Sequence, residues 1–170
     1  MTGSVVTRPV LAGRSSLRYQ LSAWVPVVIC ILVIATESTP YFGADHTSGP
    51  LQRICEFLLQ RHFTGTEWWR IHIIIRKCGH FTGYGILSIA WFRAFWMTWT
   101  FTRDRNQLRF AAHSLAMLGA FLTASCDEAH QHFLPNRNGS FRDVMIDCAG
   151  ALVLQLVVWT WMQLRFRNSH

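Results

Sequence analysis

The chain is short of charge. Asp, Glu, Lys and Arg make up 15% of its 170 residues, where a soluble domain carries about 25%. A disordered chain needs more charge and fewer apolar groups, so that class is excluded. Glycine and proline are scarce too, at 11 and 5, which excludes a low-complexity or collagen-like chain. The five cysteines form no Cys-x-x-Cys pair, so neither a zinc knuckle nor a disulfide scaffold is indicated. Acids are the scarcest charge, nine against sixteen basic residues, for a net charge of +7. A basic balance can signal nucleic acid. Here the basic residues flank apolar stretches, as they do in membrane proteins, and no nucleic-acid partner is expected.

Apolar residues are plentiful, at 51% hydrophobic and 14% aromatic. A bilayer core of about 30 Å needs roughly 20 mostly apolar residues in a helix. Four stretches approach this, giving expected helices at about 17–36, 79–101, 110–128 and 144–164. The first contains Pro26, which should kink it. The second is interrupted by Arg93, and the fourth holds one acid, Asp147. The alternative is a soluble helical bundle. Leu21–Thr36 and Phe110–Cys126 lack Asp, Glu, Lys and Arg altogether, so neither has the charged outer stripe of a soluble helix. A signal peptide is a second alternative for the first stretch, but no clear small-x-small cleavage site follows it. The expected fold is all-α: one polytopic membrane domain over residues 1–170 with four transmembrane helices.

Arg8, Arg14, Arg18, Arg103, Arg105, Arg109, Arg165 and Arg167 fall on one side of that bundle. By the positive-inside rule this places both termini in the cytoplasm and the first and third loops outside. The outer loop 37–78 contains Pro50–His62, with Leu51, Ile54, Cys55, Leu58 and Leu59 at helical spacing. That pattern fits an interfacial amphipathic helix, or equally a helix packed on the bundle. Trp68 and Trp69 suit a membrane interface.

Charged groups at membrane depth are costly and mark function or internal pairing. Here they gather toward the outer end. Lys77, His80 and Tyr84 are spaced i, i+3, i+7 and share a helix face. Gly79 and Gly83 form a small-xxx-small step suited to a close helix approach. Asp127, Glu128, His130 and Gln131 end the third helix, a turn with Arg137 follows Pro135, and Arg142, Asp143 and Asp147 open the fourth. Glu37 ends the first helix and can join them. Singly, most have ordinary readings: Lys77 and Arg142 as interface anchors, His80 and His113 as packing, Asp127 and Glu128 as a helix end in water. Asp147, a turn inside an apolar span, resists that, and its ordinary reading is an ion pair with Lys77, Arg137 or Arg142. No His-Glu-x-x-His element is present. Should a metal bind, Asp127, Glu128, Asp143, Asp147 and His80 are its candidate ligands. No cofactor is strongly indicated. Cys126 and Cys148 both lie toward the outer side, and their pairing is open.

Three elements carry a resemblance: Lys77-x-x-His80-Phe81-x-x-Tyr84-Gly85-x-Leu87, Asp127-Glu128-x-His130-Gln131-x-Phe133-x-Pro135-x-Arg137, and Gly139-Ser140-x-x-Asp143-Val144-x-x-Asp147-x-x-Gly150. In that order and spacing, with Glu37-Ser38 ahead of them, the chain resembles the VanZ-like family of small bacterial membrane proteins over roughly residues 34–154. The resemblance implies a four-helix membrane protein, and the family's founding member is linked to low-level teicoplanin resistance. It implies no settled reaction, and it leaves the long first loop uncovered.

Three functions follow. The first is binding or modulation of an envelope component: an anionic lipid, a lipid-linked precursor or a glycopeptide, with the bilayer as partner and a homo-oligomer possible. The second is an enzyme on a lipid phosphate or lipid-linked precursor, with His80 and Asp147 as acid/base or ligand groups and Lys77, Arg137 and Arg142 neutralising phosphate. The third is a purely structural buried ion network.

Overall fold

The structure, a computed structural model, describes residues 17–99, 104–134 and 139–167. Arg8, Arg14, Arg103 and Arg137, and the expected turn after Pro135, lie outside the described residues. The described chain is all helical: α1 (Leu17–Glu37), a 3₁₀ turn (Pro40–Phe42), α2 (Ala44–Leu59), α3 (Gly65–Thr98), α4 (Arg105–His132) and α5 (Phe141–Arg167). α3 is the central helix, packed on α5, α4 and α1.

Two of these helices, α1 and α5, are long and apolar enough to cross a membrane, where the sequence suggested four. Their apolar side chains point outward: Val28, Ile29 and Leu32 on α1 and Leu152, Leu156 and Val157 on α5 are all exposed. A soluble protein avoids contiguous apolar surface of that extent. The interior is lined instead by small residues. Ala112, Ala116, Ala120 and Ala124 recur every four residues on α4 and are fully buried, which lets its neighbours approach closely. The close approach expected at Gly79 and Gly83 is absent, since nothing would meet a Cβ at either position. It occurs at Gly150, where a Cβ would lie 2.0 Å from the Phe81 carbonyl oxygen of α3.

Two polar ties cross the bundle. His113 on α4 donates through Nδ1 to Gln155 Oε1 of α5 at 2.5 Å, and Gln155 Nε2 donates to the Ser88 carbonyl of α3 at 2.8 Å. His113 is therefore a strut among three helices and more than a packing residue. The second tie explains Arg93. Pro26 has no N–H, so the Ser22 carbonyl one turn back loses its helical partner. The Arg93 guanidinium donates to that carbonyl and, at 3.5 Å, to the Ala23 carbonyl.

The expected loop 37–78 is mostly helix. α3 begins at Gly65, about four turns before the expected start at 79. A capping box starts it: Thr64 Oγ1 accepts the Glu67 N–H at 3.3 Å, and Glu67 Oε2 accepts the Thr64 N–H at 3.0 Å. The Thr64 N–H and then the Thr64 hydroxyl, both donating to Glu67 Oε2, hold the Glu67 carboxyl below its ordinary range. α4 likewise begins at Arg105 rather than 110, capped by Asp104, whose side chain accepts the Asn106 N–H at 2.8 Å. The amphipathic helix runs Ala44–Leu59 rather than 50–62, and carries Pro50 inside it. Its polar face docks on α3: Trp68 Nε1 donates to Ser48 Oγ at 2.7 Å, and Thr47 Oγ1 meets His72 Nε2 at 3.3 Å. Ile54, Phe57, Leu58 and Leu59 stay exposed. Of the tryptophan pair, Trp68 is buried and only Trp69 is exposed.

Candidate functional site

The end of α4, the start of α5 and the first half of α3 meet at one end of the bundle. There they surround a cavity of about 360 Å³. α3 contributes one stripe at four-residue steps, His72, Arg76 and His80, with Lys77 beside it. α4 contributes Glu128 and Gln131, and α5 contributes Asp143 and Asp147 one turn apart. Gly139 shapes the α4–α5 connection, because a Cβ there would come within 2.1 Å of the Glu128 carbonyl oxygen.

The polar groups divide into a satisfied set and an unsatisfied one. Asp127 is satisfied. Ser38 Oγ, from the end of α1, donates to its Oδ1, while Tyr84 OH at 3.1 Å and Gln131 Nε2 at 3.0 Å donate to its Oδ2. This knot joins α1, α3 and α4 behind the cavity. Near the mouth, Lys77 Nζ and Asp143 Oδ1 pair at 2.5 Å, and both side chains are partly exposed. Deeper in, one Glu128 oxygen accepts the Ser140 N–H at 2.8 Å. Asp147 lies deepest. Its side chain is 0% exposed, and neither oxygen has a hydrogen-bond partner. The nearest cationic candidate is His80 Nδ1, at 3.5 Å. Ligand atoms of His80, Glu128 and Asp147 all lie within 4.8 Å of one another.

Of the expected site residues, Lys77, His80, Glu128, Gln131, Asp143 and Asp147 thus line one cavity. Tyr84 and Asp127 stand behind it, bonded to each other. Glu37 lines an adjoining cleft of about 190 Å³ with Arg76 and His80. His130 and Arg142 are exposed and do not line the cavity. Asp147 makes no pair with Lys77, which is taken by Asp143. Cys126 and Cys148 are both free thiols.

His72, Arg76 and Trp69 line the cavity and were not foreseen. They were hidden by the assumption of a loop before residue 79. The Thr64-x-x-Glu67 capping signal exposes them, because it extends the His80–Tyr84 face back through Arg76 and His72. His72 is buried against Trp68, with ring centroids 5.7 Å apart. Burial, and then the nearby Arg76 charge, hold its imidazole below its ordinary value of 6.5. Arg76 has no carboxylate partner among the described residues.

A helical protein with apolar outward faces and a charged cavity at one end of the bundle belongs to the class of membrane proteins that keep a polar site inside a helix bundle. The VanZ/LLP1 family model matches residues 23–163, and the chain belongs to that family. No curated protein and no solved structure matches it.

Proposed function

We propose that the chain is a four-span protein of the bacterial cytoplasmic membrane with both termini inside. Its outward cavity holds the phosphate-bearing headgroup of a lipid or lipid-linked envelope precursor. The observation that carries this reading is the charge layout of the cavity. Arg76, with no carboxylate partner among the described residues, and partly exposed Lys77 share the cavity with a half-buried His80 and with buried Glu128 and Asp147. Guanidinium and ammonium groups at that position suit phosphate oxygens. α3 and α4, at 34 and 28 residues, are about 50 and 42 Å long, ample for a core of about 30 Å. α2 extends the argument, because its exposed Phe57, Leu58 and Leu59 suit the headgroup boundary beside the cavity.

The test is direct binding. Purified protein in neutral detergent is titrated with a polyprenyl phosphate, phosphatidylglycerol, a teicoplanin-type glycopeptide and, as control, phosphatidylcholine. Saturable binding of a phosphate-bearing anionic lipid is expected, weakened about tenfold in Arg76→Ala, the loss of one charge-assisted contact. Equal affinity for phosphatidylcholine, or no effect of Arg76→Ala, overturns the reading. The His80–Asp147 pair, 3.5 Å apart, supports a second reading, turnover of that lipid with His80 as acid or base. Phosphate release from the polyprenyl phosphate that persists in His80→Ala overturns it.

A further inference from the structure

Headgroup binding accounts for the cations of the cavity and leaves its deepest residue unexplained. Asp147 is wholly buried, and among the described residues neither carboxylate oxygen has a well-formed hydrogen bond, His80 Nδ1 standing at the 3.5 Å limit. Buried carboxylates normally have partners, because burial of an unpaired one is costly. The neighbouring helices could have supplied donors, and for Asp127 they do: it receives Ser38, Tyr84 and Gln131. Lys77 is the nearby ammonium, and Asp143 holds it at 2.5 Å. Close to Asp147 stand His80, with Nδ1 at 3.5 Å, and Glu128, a second buried carboxylate. Two carboxylates and one imidazole facing each other within 4.8 Å carry an excess of negative charge that a phosphate would aggravate.

We propose that His80, Glu128 and Asp147 bind a divalent cation of the Zn²⁺ or Mn²⁺ class, with an open coordination position toward the cavity. Two ligands of one tetrahedral ion, each about 2.1 Å from it, stand about 3.4 Å apart. His80 Nδ1 and Asp147 Oδ1 have that separation. The Ser140 N–H bonded to Glu128 Oε2 is the kind of outer hydrogen bond that fixes a ligating carboxylate. An imidazole among the donors favours Zn²⁺ or Mn²⁺ over Ca²⁺ and Mg²⁺, which prefer all-oxygen sites. Three protein ligands leave at least one position open. It faces the space below Arg76 and Lys77, where a phosphate oxygen could enter. The inference rests on the headgroup reading only for what the ion would hold. The ion site itself stands on the three side chains.

The experiment uses full-length protein in detergent, stripped with EDTA, desalted, and titrated with ZnCl₂ and MnCl₂ alone. Elemental analysis follows after removal of free ion. Wild type is expected to retain one equivalent of at least one of the two ions, with micromolar or tighter affinity. Asp147→Asn and Glu128→Gln should each weaken binding about tenfold or more. Glu67→Gln removes a carboxylate that does not line the cavity and should bind as wild type. If Asp147→Asn does not fold, Co²⁺ absorption replaces it: bands in loaded wild type, lost or shifted in His80→Ala, report imidazole ligation. No saturable binding by folded wild type up to about 1 mM ion, or affinity unchanged in all three triad variants, overturns the proposal. Lipid titration of the stripped protein reads the headgroup proposal separately. Ion bound without lipid overturns that proposal alone, and lipid bound without ion overturns this one alone.

Discussion

At the scale of single residues, the question for each buried polar group is where its partner comes from. Asp127 and Asp147 look alike in the sequence, each an acid beside an apolar run. Asp127 meets three donors, from α3, from α4 and from Ser38 just past α1, while Asp147 meets only the His80 ring nitrogen, at 3.5 Å. That difference depends on which helices converge, and no local pattern encodes it. Arg93 was equally opaque. Its role depends on a proline in another helix, whose missing N–H frees a carbonyl that only a long donor can reach. This makes a sharp expectation. Arg93→Met leaves the Ser22 carbonyl unsatisfied and should cost about 1–3 kcal/mol. Pro26→Ala restores the N–H, so Arg93→Met made in that background should cost much less. Thermal unfolding of the four proteins in one detergent measures the cycle. Additive losses would mean that the two residues act separately.

At the scale of elements, the apolar stretches announced where helices are, and where α1 begins, but not where α3 and α4 begin. Four apolar runs became four of the five helices, and Pro50–His62 became part of the fifth. The starts at Gly65 and Arg105 lie in polar sequence, where hydropathy carries no signal and capping chemistry carries all of it. Six of the eight charged, histidine and amide residues that line the cavity were legible, because Lys77, His80, Glu128, Gln131, Asp143 and Asp147 sit at helical spacings in or beside apolar runs. The other two, His72 and Arg76, sit on the polar extension of α3. That extension also holds α2 through His72. Its folded-state pKa is depressed by burial, so the folded form resists a proton that the unfolded chain accepts. The contribution is complete above the unfolded value of about 6.5 and is lost as pH falls from there through the lower folded value. Amides of α2 should therefore exchange faster at about pH 5.5 than at 7.5, after correction for intrinsic rates. His72→Gln should remove most of that difference. An unchanged difference in the variant would assign the effect to another group.

At the scale of the whole molecule, two helices are apolar enough to cross a membrane alone, and the other two long ones owe their polarity to the interior they build. α3 supplies the His72–Arg76–His80 stripe and receives Gln155, and α4 supplies His113, Asp127, Glu128 and Gln131. Polar groups in lipid must be satisfied internally, and the His113–Gln155–Ser88 strut does this across three helices. On the four-span proposal, α3 and α4 cross as a packed pair between α1 and α5 rather than singly. This ordering ties the site to topology. The cavity lies where α4 ends and α5 begins, so it opens on the side opposite both termini if all four helices cross. Alkaline phosphatase fused after His62 should then be active, and a fluorescent protein fused after Asp104 or at the C-terminus should fluoresce. Fluorescence after His62 with activity after Asp104 would turn the cavity to the cytoplasm. In that orientation the ligand would have to come from the inner leaflet, and the cavity chemistry would be unchanged.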